Sequence, residues 1–266
     1  MTQVAVACSI AGSDSGGGAG IQADLKAFAA CGVYGTTVVV ALTAQNTLGV
    51  RAVQAATLGI VTAQIDAVAE DFHPAAWKTG MLASASLVEV VVDGLQRHGA
   101  QNLVVDPVMI AKSGARLLEE GALETVRQML IPLALVLTPN LPETEALTGR
   151  PLGTGPGGTR DAARALADMG ATVVVIKGGH AVGDEVVDLV FDSASGIFEE
   201  LHYPRVAGTS THGTGCTFSA AITAHLALGE RPVEAIGAAR AYLQQALLRA
   251  PGLGAGHGPL GHLPFA

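Results

Sequence analysis

Continuous apolar runs punctuate the chain: VAVACSI (4–10), TTVVVAL (36–42), NLVVD (102–106), LALVLT (133–138) and ATVVVIK (171–177). A run without polar alternation is the pattern of a strand buried on both faces. Between the runs lie IQADLKAFAACG, LGIVTAQIDAVAEDF, SLVEVVVDGLQRHG and TRDAARALADMG. Each has helical spacing, and all but the second end in glycine, a normal helix stop. Strands joined by helices pair in parallel, because the crossover returns the chain to the same edge. The alternation therefore predicts a three-layer α/β/α fold with a mostly parallel central sheet flanked by helices. After Lys177 the texture changes. EVVDLVFD and GIFEELHYP flank SASG and predict an antiparallel hairpin at one edge. Two helices then precede the tail GLGAGHGPLGHLPFA. No boundary divides the sequence, so residues 1–266 are expected to form a single domain.

Composition narrows the function classes. Of 266 residues 49% are hydrophobic, enough for a substantial core. A net charge of -8 without a basic run argues against a nucleic-acid surface. Cys8, Cys31 and Cys216 have no paired spacing, so neither a disulfide framework nor a zinc site is expected. MTQVAVACSIAGSDSGGG lacks a basic region and carries only a short apolar run, unlike a signal peptide. No apolar segment reaches the roughly 20 residues of a membrane span. A soluble, cytoplasmic protein is expected.

Ligands of open parallel sheets bind at the carboxyl ends of the strands. Near those ends stand AGSDSGGGAGIQAD, TAQNT, KTGML, DPVMIAKSG, TPNLPETE and KGGH, which should converge on one cleft. GSDSGGGAG overlaps a G-x-G-x-x-G pattern, but Gln45 stands where a dinucleotide site needs an acidic residue, and no P-loop occurs. Asp24, one turn into the first helix, suits the helix dipole by itself. Gln45 offers a donor and an acceptor to a heteroaromatic edge, or is a turn residue. Asn140 and Glu143 form a capping box or orient waters around magnesium, for which Asp106 is a further candidate. Lys177 ends an apolar run, to contact phosphate or as an exposed edge charge.

In RVAGTSTHGTGCTFSAAI (205–222), Gly213 and Gly215 allow close backbone approach ahead of a helix. A helix N-terminus suits a phosphate and lowers a thiol's pKa, so the turn could hold an anion, a reactive Cys216, or both. His180 and His212 raise a cysteine–histidine hydrolase reading, but no oriented third member accompanies them.

Taken in order, AGSDSGGGAGIQADLKAF, ALTAQNTLGV, KTGML, VVDPVMIAKSG, LTPNLPETEAL, IKGGH and THGTGCTFSAAI resemble the hydroxymethylpyrimidine/phosphomethylpyrimidine kinases of thiamin biosynthesis. These belong to the ribokinase superfamily, and the likeness runs from about Ala5 to GHGPLGH. The resemblance implies a ribokinase-like homodimer. It also implies that MgATP phosphorylates 4-amino-5-hydroxymethyl-2-methylpyrimidine and then its monophosphate. Carried over by motif, Gln45 and Asp24 face the pyrimidine, in a pocket lined by Gly12, Ala19, Thr43, Met81 and Val108. Gly213, Thr214 and Gly215 form an anion hole, with Cys216 beside the reacting oxygen. Lys177, Asn140 and Thr211 attend the nucleotide, while Asp106 and Glu143, with Asn140, organise Mg²⁺. Ribokinase-type sugar kinases carry an aspartate base in a G-A-G-D version of the loop, where this chain has Cys216. The alternatives are a pyridoxal or pyridoxine kinase, whose ring also bears a hydroxymethyl group, and a catalytically silent pyrimidine-binding protein.

Overall fold

The computed structural model describes residues 4–110, 114, 117–119, 121–152, 156–180 and 183–262. Ala111, Lys112 and Ser113 of the DPVMIAKSG segment lie outside the described residues, as does the His180 side chain. The strands are β1 (Val6–Asp14), β2 (Tyr34–Asn46), β3 (Gly49–Ala55), β4 (Ala76–Thr79), β5 (Leu103–Val105), β6 (Val136–Leu137), β7 (Val173–Ile176), β8 (Glu185–Asp192) and β9 (Ile197–Pro204). Helices α1 (Gly20–Ala30), α2 (Leu58–Phe72), α3 (Ala85–Arg97), α4 (Ala122–Thr125), α5 (Leu141–Thr148), α6 (Pro156–Asp168), α7 (Thr214–Ala227) and α8 (Pro232–Leu248) connect and flank them.

The sheet runs β3-β2-β1-β4-β5-β6-β7-β8-β9. From β2 through β7 every pairing is parallel, whereas β3, β8 and β9 pair antiparallel. The order in which successive strands are added reverses at β1, which has β2 on one side and β4 on the other. That reversal opens a crevice at the carboxyl ends of the central strands.

Both faces of the sheet are covered, which explains the continuous apolar runs. Val105, Leu137 and Val174 face a core built with Val61 and Ile65 of α2, Leu87 and Val91 of α3, and Leu166 of α6. Their strand neighbours Val104, Val136 and Val173 face the opposite core, with Phe218 and Ile222 of α7 and Ile236 and Leu243 of α8. The three predicted glycine stops, Gly32, Gly99 and Gly170, all have positive φ, while α2 ends at His73 with φ 47°. Among the described residues no helix is long and apolar enough to cross a membrane.

The structure extends the sequence reading at both ends of the sheet. The β8–β9 hairpin forms as expected, and a second antiparallel pair, β2–β3, closes the opposite edge. Gln45 is consequently a strand residue paired with Val50, and of its two readings the turn residue falls away. The outer strand β3 is largely exposed, so its polar residues hid it from a search for apolar runs.

Candidate active site

Strand ends β5 and β7, helix α5 and the first turn of α7 assemble one cluster of charge. Lys177, one residue past β7, extends its ammonium to within 2.8 Å of Asp106 Oδ1 and 3.9 Å of Glu143 Oε2. Ser219 Oγ, one turn into α7, lies 3.1 Å from Asp106 Oδ2. A Cβ built on Gly215 would stand 3.3 Å from Lys177 Nζ and 3.6 Å from Asp106 Oδ2, so the glycine turn lies directly against this pair. Burial opposes ionisation of Asp106, but Lys177 and Lys78 outweigh it and hold the carboxyl below its ordinary range. Lys177 keeps its proton: burial pulls its pKa down, and Asp106 and Glu143 pull it up further.

Asn140 and Glu143 make the capping box. Asn140 Oδ1 accepts the Glu143 N–H at 2.9 Å, and Glu143 Oε2 accepts the Asn140 N–H at 2.8 Å. The cap does not exhaust Glu143, since the same oxygen faces Lys177. Burial pushes its carboxyl up to about 7, with Asp106 adding to the effect and Lys177 opposing it. A carboxyl raised in the folded state stabilises the fold fully below its ordinary pKa, and that contribution is lost as pH rises through about 7. Glu143→Gln should remove this slope. Between about pH 4.5 and about pH 7 the melting temperature of the nucleotide-free wild type should fall relative to the variant. Parallel melting curves would refute the buried, proton-binding state of Glu143.

A second cluster gathers at the ends of β1 and β2. Gly12 is packed so closely on Met81 that a Cβ there would overlap the methionine methyl. Thr43 Oγ1 donates to Ser13 O at 2.9 Å and lies 3.2 Å from Gln45 Oε1. Asp14 organises the glycine-rich loop, accepting N–H groups of Gly16 (2.8 Å), Gly18 (3.0 Å) and Ala19 (2.9 Å). Val108 follows Asp106 in a tight turn, its N–H 2.8 Å from the Asp106 carbonyl. Beneath them, Asp24 is fully buried and bonded to Ser9 Oγ (2.5 Å) and Lys78 Nζ (2.9 Å). Its Oδ1 has no hydrogen-bond partner among the described residues. Lys78, also fully buried, is held charged against burial by Asp24, with Asp106 adding to the effect.

The GTGC turn joins the clusters. Gly213 caps α7 with φ 78°, and a Cβ there would overlap the Gly18 carbonyl oxygen. Thr214 Oγ1 donates to the Thr211 carbonyl at 2.7 Å, which fixes Thr211 at the base of the turn. Cys216 departs from expectation. Burial pushes its thiol up to about 12, overriding the opposing pull of Lys78, and Asp24 and Asp106 add to the rise. The helix N-terminus does not produce a thiolate here, because desolvation is the larger effect.

The sequence reading overlooked Lys78 and Ser219, and set His212 aside. Lys78 stands in the quoted KTGML, and a lysine inside an apolar strand was the available signal. His212 Nε2 lies 2.8 Å from Asp14 Oδ2 and 3.2 Å from Gln45 Nε2, so its ring is engaged with the second cluster.

Comparison with known proteins decides the family. The model of the phosphomethylpyrimidine kinase family matches residues 14–261. The chain belongs to that family. It is 46% identical over 260 residues to the hydroxymethylpyrimidine/phosphomethylpyrimidine kinase of Bacillus subtilis (strain 168), covering 97% of this chain and 95% of the relative. Among solved structures, the phosphomethylpyrimidine kinase from Clostridium difficile 630 superposes with a TM-score of 0.81 at 41% identity, over 92% of this chain and all of that one. An ADP complex of Bacillus subtilis pyridoxal kinase superposes with a TM-score of 0.90 at 35% identity, over 98% of each chain. The ribokinase-like fold expected from the resemblance is thereby shown. Phosphomethylpyrimidine kinases and pyridoxal kinases share this architecture, so the ring they accept is a matter of side chains.

Proposed function

We propose that this chain transfers a phosphoryl group from MgATP to the hydroxymethyl oxygen of 4-amino-5-hydroxymethyl-2-methylpyrimidine, then a second to the monophosphate. It does so as a cytoplasmic homodimer serving thiamin biosynthesis. One observation carries the reading: the GTGC turn touches both clusters, packing Gly213 on the ring-side loop and Gly215 on Lys177 and Asp106. An acceptor held at the first cluster would present its oxygen to the turn, and a phosphoryl donor at the second would approach from the other side.

The residues fit the nucleotide. Lys177 is a charged donor beside a helix N-terminus, the setting that suits a phosphate. Among the described residues no trio of His, Cys, Asp or Glu is arranged to hold a bare metal ion. Asp106 and Glu143 instead suit a magnesium ion that arrives on phosphates and meets the protein through water. MgATP supplies the phosphoryl group and the cation that neutralises it. Lys177 offsets developing charge, the turn's N–H groups orient the transferring group, and Gln45 with Thr43 holds the ring. Asp24 lies fully buried beneath that site, its Oδ1 without a partner among the described residues, and braces it through Ser9 and Lys78. Positioning and charge stabilisation suffice for much of such a reaction, whose transition state is loose.

Cys216→Ala tests the thiol. A group with a pKa of about 12 is almost wholly protonated at neutral pH and is a poor general base there. The substitution is expected to slow the alcohol and monophosphate reactions by the same factor, within about tenfold, far below the roughly 10²–10⁴-fold of general-base catalysis. A loss confined to the alcohol step, whose nucleophile carries the proton, would restore Cys216 as the base.

Gln45→Leu should leave polar atoms of the ring unpaired, at about 1–3 kcal/mol each, and weaken pyrimidine binding by roughly tenfold or more. The KM for ATP should stay unchanged; equal losses for both would make Gln45 a structural residue.

The likeness to pyridoxal kinase keeps one competing substrate. Turnover measured side by side on the pyrimidine alcohol, its monophosphate and pyridoxal tests the reading. Both pyrimidines should have higher kcat/KM than pyridoxal, and a preference for pyridoxal would overturn it.

A further inference from the structure

His212 occupies the junction of four segments: the glycine-rich loop, the end of β2, the phosphate turn and the C-terminal segment. Its N–H donates to the Gly258 carbonyl at 3.1 Å. A Cβ on Gly18 would stand 2.5 Å from its Cδ2, so the ring is wedged against that loop. Its Nε2 faces Asp14 Oδ2 at 2.8 Å and the Gln45 carboxamide at 3.2 Å. A carboxylate only accepts hydrogen bonds, so the Nε2 position must carry a proton and donate it to Asp14. Asp14 is itself held ionised. Burial raises its pKa, but His212 and the N–H groups of Gly16 and Ala19 more than offset that and keep it below the ordinary range.

This proton constrains Gln45. With its one proton directed at Asp14, Nε2 has no lone pair to accept from an amide NH2. An amide oxygen at 3.2 Å can share that proton as the longer branch. The other end of the carboxamide meets Thr43 Oγ1 at 3.2 Å, and that hydroxyl has already given its one proton to Ser13 O at 2.9 Å. Thr43 is therefore an acceptor toward Gln45 and calls for the NH2. Both neighbours demand the same orientation, with oxygen toward His212 and NH2 toward Thr43. Relative to the contacts given above, the amide oxygen and nitrogen exchange places, an assignment that such hydrogen-bond networks decide.

We infer that His212 is a specificity-determining positioning residue, which through its Nε2 proton locks the Gln45 carboxamide with oxygen on the His212 side and NH2 on the Thr43 side. The inference rests on the proposed role of Gln45 at the ring. Locked in this way, Gln45 has one N–H and one oxygen lone pair left for a ligand, in fixed order. A ring edge with an acceptor next to an amino donor, as in a 4-aminopyrimidine, matches such a pair. A pyridine ring with an isolated hydroxyl offers no adjacent acceptor and amino donor. With His212 gone the carboxamide can turn over, and the ordered pattern is lost.

Two measurements test this. In ¹⁵N-histidine spectra of the ligand-free protein at neutral pH, His212 Nε2 should be protonated. An unprotonated Nε2 overturns the inference, whichever ring the enzyme phosphorylates. The second is the ratio of kcat/KM for the pyrimidine alcohol to that for pyridoxine, in wild type and variants. His212→Leu should lower the ratio at least tenfold. His212→Gln, whose amide NH2 reaches the Nε2 position and can donate to both Asp14 and Gln45, should restore it. Loss of turnover on the pyrimidine by the wild type would sink the proposed function, and the tautomer would still decide the role of His212. A ratio unchanged in the leucine variant, or equally lowered in both variants, overturns the inference. Melting temperatures of the two variants separate a folding defect from a change in selectivity.

Discussion

Gly213→Val is expected to abolish both phosphorylations, lowering each rate at least about 10²-fold, the cost of an ångström-scale misplacement of reacting groups. Two independent effects combine. At φ 78° the backbone is in the left-handed region, where a β-branched side chain is strained by about 1–3 kcal/mol. The new Cβ would also overlap the carbonyl oxygen of Gly18, so the phosphate turn and the glycine-rich loop must move apart. Since both reactions use the same turn, both should fail together. Gly215→Ala provides the contrast. Gly215 lies outside the left-handed region, and its Cβ would stand 3.3 Å from Lys177 Nζ, so this variant should fold and still lose rate. Full activity in Gly213→Val, or damage to one step alone, would show that the two loops need not touch during turnover.

Lys177→Ala should produce the other large effect, lowering kcat/KM for ATP by roughly 10²–10³-fold, the usual loss when one transition-state donor is removed. Binding of the pyrimidine without nucleotide should change little. The substitution also strips the cation from between two buried carboxylates. Breaking a buried pair costs on the order of 3–5 kcal/mol, because it leaves a charge uncompensated. Here Glu143 can recover part of that by taking up a proton, as burial already favours its neutral form. The variant should therefore lose stability relative to wild type as pH rises above about 7. There wild-type Glu143 ionises against Lys177, whereas the variant's Glu143, without that cation, still holds its proton. Melting curves across pH and ATP saturation kinetics check the two halves separately. An unchanged KM and kcat for ATP would remove Lys177 from the phosphate site.

Local periodicity carried the architecture. Strands β1, β2, β5, β6 and β7 were legible because burial on both faces leaves a continuous apolar run, and the stops at Gly32, Gly99 and Gly170 because an L-side chain disfavours their positive φ. The Asn140–Glu143 cap was legible for the same reason, being a contact across three residues. Strand β3 was not, since an exposed edge strand keeps its polar residues. Nor was β4, four residues long with Lys78 in the middle. A lysine reads as exposed until Asp24, 54 positions away, is brought against it.

The sequence by itself determined the mostly parallel α/β/α layout, the glycine turn ahead of α7, the family likeness and the residues that gather at the strand ends. Only the tertiary structure decided what those residues do to one another. The Lys177–Asp106 pair spans 71 positions and His212–Asp14 spans 198, separations that no spacing rule can read. The protonation state of Cys216 belongs to the same class. A helix N-terminus is visible in sequence and favours the thiolate, whereas the burial that outweighs it depends on which distant groups close over the sulfur.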